Sequence, residues 1–148
     1  METLLISACL LGFPCKYDGG SNALPAETVA ALRQRWKLIP VCPEVAGGLP
    51  VPRVPSERQG ERVVTRDGRD VTAEYRRGAE CAVKLAERFG ARHALLKARS
   101  PSCGPGPIYD GSFTGRLTEK NGMTSEYLRI KNLSVHEDPS NLLLGITG

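Results

Sequence analysis

Leu4-Leu5-Ile6-Ser7-Ala8 is a short apolar run, and Cys9-Leu10-Leu11-Gly12-Phe13-Pro14 stops it with glycine and proline. A run of that length ended by turn residues reads as a buried strand, since a helix needs roughly ten residues or more. The same grammar repeats outward along the chain. Over residues 26–36, Val29, Leu32 and Trp36 recur at spacings of 3 and 4 behind Pro25, which predicts a helix. Leu38-Ile39-Pro40-Val41-Cys42 predicts a second strand, placed at a sheet edge or given an irregular end because Pro40 has no N–H for a ladder. Between 72 and 89, Tyr75, Ala79, Ala82, Ala86 and Phe89 fall at spacings of 4, 3, 4 and 3, with Glu74, Arg77, Lys84, Glu87 and Arg88 on the other sides. That is an amphipathic helix, which Asp70 or Thr72 would cap and Gly90 would close. Ala94-Leu95-Leu96-Lys97-Ala98 predicts a third strand, residues 122–131 a last helix and Leu133-Ser134-Val135 a last strand. Strands alternating with helices require right-handed crossovers, so the fold class is α/β: three layers, a mainly parallel, Rossmann-like sheet with helices on both faces.

Two stretches carry little regular pattern. Pro43 to Pro55 holds four prolines and two glycines, which predicts a shaped loop with no regular element. Ser100-Pro101-Ser102-Cys103-Gly104-Pro105-Gly106-Pro107 is a second such loop. Between them, Arg62-Val63-Val64-Thr65 reads as a strand and Asp67-Gly68 as the centre of a turn before the long helix.

At 148 residues, with 41% hydrophobic and 24% charged, the chain has the size and composition of one globular domain, 1–148, and is neither disordered nor coiled coil. No run approaches the roughly 18–20 apolar residues of a membrane span. Ile6-Ser7-Ala8-Cys9 looks like the tail of a lipoprotein signal, but Glu2 has the wrong charge and the apolar run is too short, so a cytoplasmic protein is expected. The net charge of +4 is concentrated: residues 53–99 hold 12 Lys/Arg against 7 Asp/Glu. A solvated basic helix face accounts for this, while attraction of an anionic ligand or RNA is the sharper reading. With few aromatics and no RNA-binding signature, nucleic acid is the minority reading.

Five cysteines at scattered positions, in a chain read as cytosolic, do not suggest a disulfide framework. Their placement is informative. In an open parallel sheet the ligand site lies beyond the carboxyl ends of the strands. Cys9 follows the first strand, Cys42 ends the second and Cys103 lies in the loop after the third, so topology alone gathers three thiols at one edge. Such a set suits a soft metal or an iron–sulfur cluster, and three ligands leave one metal position open, as in a catalytic centre. A small zinc-binding or thiol-redox module uses the same cysteines and stands as the alternative. Cys15 lies on a turn and reads either as a loop residue or as a fourth thiol near the metal, whereas Cys81, mid-helix, reads as a packed side chain. Glu44 and Ser100 flank the ligands in the same loops. Glu44 reads equally as a general base for water and as a carboxylate capping backbone N–H groups; Ser100 reads as a proton shuttle or as a turn residue. His93 and His136 sit at strand edges and read as structural.

Several longer motifs in order, Ile6-Ser7-Ala8-Cys9-Leu10-Leu11-Gly12, Tyr17-Asp18-Gly19, Pro40-Val41-Cys42-Pro43-Glu44-Val45-Ala46-Gly47-Gly48-Leu49, Pro52-Arg53, Gly68-Arg69-Asp70-Val71-Thr72, Leu96-Lys97, Ser100-Pro101-Ser102-Cys103-Gly104 and Ile108-Tyr109-Asp110-Gly111, resemble the thiouracil desulfurase (TudS-like) family, long catalogued as a domain of unknown function. The resemblance runs nearly the whole chain. It implies a cytoplasmic bacterial enzyme that converts 2-thiouracil or a related thiolated pyrimidine to the oxo base and sulfide without net redox change. It also implies a 4Fe-4S cluster held by Cys9, Cys42 and Cys103, whose open iron takes the substrate's sulfur, with Glu44 and Ser100 as catalytic residues and Glu44 activating the attacking water. Thiolated tRNA is a lesser substrate candidate, and the chain is a monomer or a dimer. Thr118-Glu119-Lys120-Asn121-Gly122-Met123 departs from the more glycine-rich stretch expected of the family, and we expect it to help form the pocket mouth and bear on substrate preference.

Overall fold

The structure, a computed structural model, describes residues 1–144. Along the chain run β1 (Glu2–Ser7), α1 (Ala26–Arg35), β2 (Trp36–Val41), α2 (Pro43–Ala46), β3 (Ser56–Gln59), β4 (Arg62–Thr65), α3 (Thr72–Phe89), β5 (His93–Leu95), β6 (Ile108–Tyr109), β7 (Leu117–Thr118), α4 (Met123–Ile130), β8 (Ser134–His136) and α5 (Ser140–Leu144). Four of these strands form a parallel sheet in the order β2-β1-β5-β8. The α/β class and the edge position of the Pro40 strand are as read from sequence.

Because successive side chains of a strand point to opposite faces, β1 feeds two cores. Leu5 packs with Ala82, Val83 and Ala86 of α3 and Leu128 of α4, while Leu4 and Ile6 pack with Leu32 of α1, Trp36 and Leu142 of α5. All three β1 residues are fully buried, so truncating one to alanine costs about 2–5 kcal/mol. The Trp36 indole N–H donates to the Leu142 carbonyl at 3.0 Å and fixes α5 to the edge strand. Trp36 opens β2 rather than closing α1, which buries only Leu32; tertiary burial decided its place over helical spacing.

The proline-rich stretch after Cys42 was expected to hold no regular element, yet α2 forms there. Pro43 sits at its first turn, where a missing N–H costs nothing. The helix rests on α3 through two glycines. A Cβ on Gly78 would lie 1.9 Å from the Pro43 carbonyl oxygen, and one on Gly47 would lie 2.0 Å from that of Glu74. No other residue permits that approach. A hairpin of β3 and β4 lies outside the main sheet, as do β6 and β7. It is tied down by Arg58, whose fully buried guanidinium donates to the Gly60 and Asn121 carbonyls at 2.8 Å and pairs with Glu126. No helix among the described residues is long and apolar enough to cross a membrane.

Candidate active site

The register sets Ser7 beside Val41 and Ile6 beside Leu95, so β1, β2 and β5 end level with one another. Beyond those ends opens a cavity of about 500 Å3, lined by Cys9, Cys15, Cys42, Cys103, Glu44 and Ser100 among others. All five residues expected at the site are thus brought together, along with Cys15.

Each thiol is delivered by a different device. After β1, Ala8–Leu11 make one 3-10 turn closed by left-handed Gly12, and Cys9 sits on it. Asn22 N–H donates to the Cys9 carbonyl at 3.0 Å, and the Asn22 side chain reaches the Cys9 sulfur. Cys42 caps α2, with its sulfur 3.8 Å from the Cys15 carbonyl. Cys103 is buried in a loop held on every side. Gly104 N–H donates to the Ser100 carbonyl, Ser125 Oγ donates to the Cys103 carbonyl at 2.6 Å, and a Cβ on Gly122 would lie 2.5 Å from the Ser102 carbonyl. The hydroxyl of Ser7, which accepts from Lys97 N–H, lies against the Cys103 sulfur.

As bare thiols Cys9, Cys15 and Cys103 resist ionisation. Burial is the main cause for Cys9, Cys15 and Cys103. Cys42 adds to the rise at all three, and Cys9 at Cys15 and Cys103; Cys15 is pushed up to about 12. Thiolates here need positive charge beside them, which a metal centre supplies. Among the described residues no three His, Cys, Asp or Glu side chains are placed to share one metal ion. A cluster takes each cysteine at a different iron, so the donor set fits a cluster better than a single zinc. The hydroxyl and amide near two of the sulfurs are the contacts that tune such a group.

Among the described residues no backbone N–H donates to the Glu44 carboxylate. Its Oε1 accepts from the Tyr75 hydroxyl at 2.8 Å and from Arg53 Nε at 3.0 Å, and no donor among the described residues reaches Oε2. Burial and the nearby carboxylate raise the Tyr75 phenol well above its ordinary range, so it stays a donor. Ser100 is a turn residue by its contacts and also lines the cavity. Its Oγ accepts from Ser102 N–H at 3.1 Å and Cys103 N–H at 3.0 Å, which shapes the turn. A hydroxyl has two acceptor positions and one proton, so only its proton remains to offer the cavity.

Tyr17, Tyr109 and Phe113 also line the cavity, with Lys97, Arg99 and Arg66, whose guanidinium lies 5.7 Å from the Phe113 ring. Residues 118–123 do not line the cavity, contrary to the expectation for that stretch: Lys120 pairs with Glu61, the Asn121 carbonyl holds Arg58, and Gly122 backs the Cys103 loop. Cys81, half-buried on α3, is also outside the cavity. His93 and His136 face each other at 3.2 Å, with Trp36 edge-on to His93, and likewise contribute nothing to the cavity wall.

Sequence reading missed Asn22, Arg53 and Tyr75. Tyr75 falls on the apolar stripe of α3 and was read as core, yet a buried tyrosine hydroxyl needs a partner, and that requirement was a usable signal. Arg53 was visible only as part of a Pro-Arg motif.

A family model described as 2-thiouracil desulfurase matches residues 4–139. A Bacillus subtilis (strain 168) protein described as uncharacterized protein YbbK is 36% identical over 136 residues, spanning 85% of this chain and 89% of its own. A solved structure described as a 4Fe-4S-dependent thiouracil desulfidase TudS is 49% identical, with a TM-score of 0.91 over 97% of this chain and 96% of that chain.

Proposed function

The chain belongs to the 2-thiouracil desulfurase family, and from that premise we propose that it hydrolyses the carbon–sulfur bond of 2-thiouracil or a related thiolated pyrimidine, releasing the oxo base and sulfide. The observation that carries this reading is the convergence of Cys9, Cys42 and Cys103 on one cavity whose wall also holds a carboxylate with a free oxygen and a hydroxyl with a free proton. The likeness to a 4Fe-4S-dependent desulfidase supports the choice of cofactor.

Cys9, Cys42 and Cys103 would hold the cluster, which when bound supplies a soft Lewis-acid iron that draws electron density from a thiocarbonyl sulfur. The rest is the work of the chain. Glu44 Oε2, which no donor among the described residues reaches, takes a proton from the water that adds to the thiocarbonyl carbon, and Oε1 is held meanwhile by Tyr75 and Arg53. Ser100 donates its proton toward the departing sulfur; with both acceptor positions occupied it does not serve as a base. The proton that Glu44 takes from water returns to re-protonate Ser100, so over the cycle water supplies the oxygen and both protons that end on sulfide, and no electrons are exchanged. Tyr17, Tyr109 and Phe113 line the cavity and give it aromatic surface for a flat base to pack on. This reading carries a cytoplasmic site of action, where thiols stay reduced.

The test is anaerobic reconstitution followed by the loss of thiocarbonyl absorbance from 2-thiouracil. We expect about four irons per chain, with uracil and sulfide as products. Cys9→Ala, Cys42→Ala and Cys103→Ala should lose iron and turnover together, and Glu44→Gln should keep iron and lose turnover by roughly a hundredfold or more. Turnover by iron-free protein would overturn the cofactor assignment, and full turnover by Glu44→Gln would overturn its role as base.

A further inference from the structure

We propose that Tyr75 and Arg53 are positioning residues for the desulfuration, acting together to pin Glu44 by one oxygen so that the other alone meets the attacking water. The inference rests on the reading of Glu44 as the base, and the test below separates the two.

Both donors converge on the same atom. Tyr75 reaches Glu44 Oε1 from α3 at 2.8 Å, and Arg53 Nε reaches it at 3.0 Å from the loop after the Val51–Pro52 bond. Two hydrogen bonds fill the lone-pair directions of one carboxylate oxygen and fix the carboxyl plane, which a single donor would leave free to rotate. Neither donor is an incidental surface contact. Tyr75 is 1% exposed and the Arg53 side chain 7%. The Arg53 guanidinium is itself held at its other nitrogens: Nη2 donates to the Cys15 carbonyl at 2.9 Å and Nη1 to the Pro50 carbonyl at 3.2 Å. One planar fork thus binds the base and the Cys15 loop, which forms a wall of the same cavity, in a fixed relation. Lysine, a point charge on a flexible stem, would hold one of these three acceptors at a time.

Packing alone does not require this chemistry. Phenylalanine would fill the α3 position equally well, and the one feature that tyrosine adds is the hydroxyl aimed at Oε1. A base misplaced by about 1 Å loses on the order of a hundredfold in rate, which is the loss the two donors guard against.

The experiment is a double-mutant cycle on reconstituted protein, reading kcat and KM for 2-thiouracil, iron per chain, and the thermal midpoint of the cluster-free chain. Tyr75→Phe should lower kcat by roughly tenfold to a hundredfold with KM and iron content unchanged, and Arg53→Lys should do the same. In a Glu44→Gln background, Tyr75→Phe should cost nothing further, because it acts through a carboxylate already removed. Wild-type kcat in Tyr75→Phe, or an undiminished loss in the Glu44→Gln background, would overturn the proposal and leave the role of Glu44 standing. Full activity in Glu44→Gln alone would overturn the reading of the base and the proposal with it. A purely structural role for Tyr75 would lower the thermal midpoint and add its effect in the double variant, which is likewise a refutation.

Discussion

Gly78→Ala sets helix propensity against a steric requirement of the site. Within α3, alanine is favoured over glycine by about 1 kcal/mol, so propensity alone predicts a more stable protein with a midpoint about 3 °C higher. The packing predicts the opposite sign. A Cβ at position 78 would lie 1.9 Å from the Pro43 carbonyl oxygen and 2.6 Å from its carbon, whereas real Cβ atoms stay beyond 3.0 Å. The obstacle is backbone, so α2 must withdraw by about 1 Å or more. Overpacking of this kind costs about 1–3 kcal/mol, which outweighs the propensity gain over most of its range. The retreat also carries Glu44, next to Pro43, away from the Tyr75 hydroxyl, and a 1 Å displacement of a catalytic group costs on the order of a hundredfold in rate. We therefore expect Gly78→Ala to lower the midpoint in a thermal melt of the cluster-free chain and to lower kcat by roughly a hundredfold in the thiocarbonyl absorbance assay. A protein that melts higher than wild type and turns over at the wild-type rate would refute the close contact of α2 with α3 as the device that places Glu44.

Arg58→Met should destabilise the chain by about 3 kcal/mol in urea unfolding, because it strands the Gly60 and Asn121 carbonyls and removes the buried partner of Glu126; Arg62→Ala, whose pair with Asp70 is exposed, should leave the unfolding midpoint nearly unchanged. Burial, aided by His93 and Arg129, holds His136 below the usual histidine range, so the folded chain binds its proton less readily than the unfolded chain does. Stability is therefore highest above the ordinary histidine value and is lost as pH falls through that value toward the lowered one; thermal melts between about pH 7 and about pH 5 should show this fall, and His136→Gln should flatten it.

What could be read from the sequence follows from where its signals are local. Apolar runs cut off by glycine and proline marked β1, β2 and β5, and the alternation with helices fixed their ends at one edge, so the three cysteines could be brought together without coordinates. The long helix was legible to its last residue because α3 is strongly periodic and Gly90 ends it in the left-handed conformation. Ser56-Glu57-Arg58-Gln59 carried no strand signal, since all four residues are polar; its pairing with β4 comes from the ladder and from a buried arginine whose partners lie elsewhere. The two-residue strands β6 and β7 are too short to show a period, and α5 gives no sequence signal because its burial depends on Trp36.

The same division runs through the site. A thiol announces itself by residue type and by its place after a strand, but the Glu44 carboxylate is oriented by groups that sit 9 and 31 residues away along the chain. Spacing cannot show that Pro50 and Cys15 fix the guanidinium that fixes Glu44, because the loop that joins them folds back on itself. Ser100 makes the point from the other side. Turn residue and proton donor are rival readings of it in the sequence, yet the two backbone N–H groups that make it a turn residue leave its own proton as the one thing it can give. At this edge of the sheet the contacts that stabilise the loops also determine which lone pairs and which protons remain for chemistry.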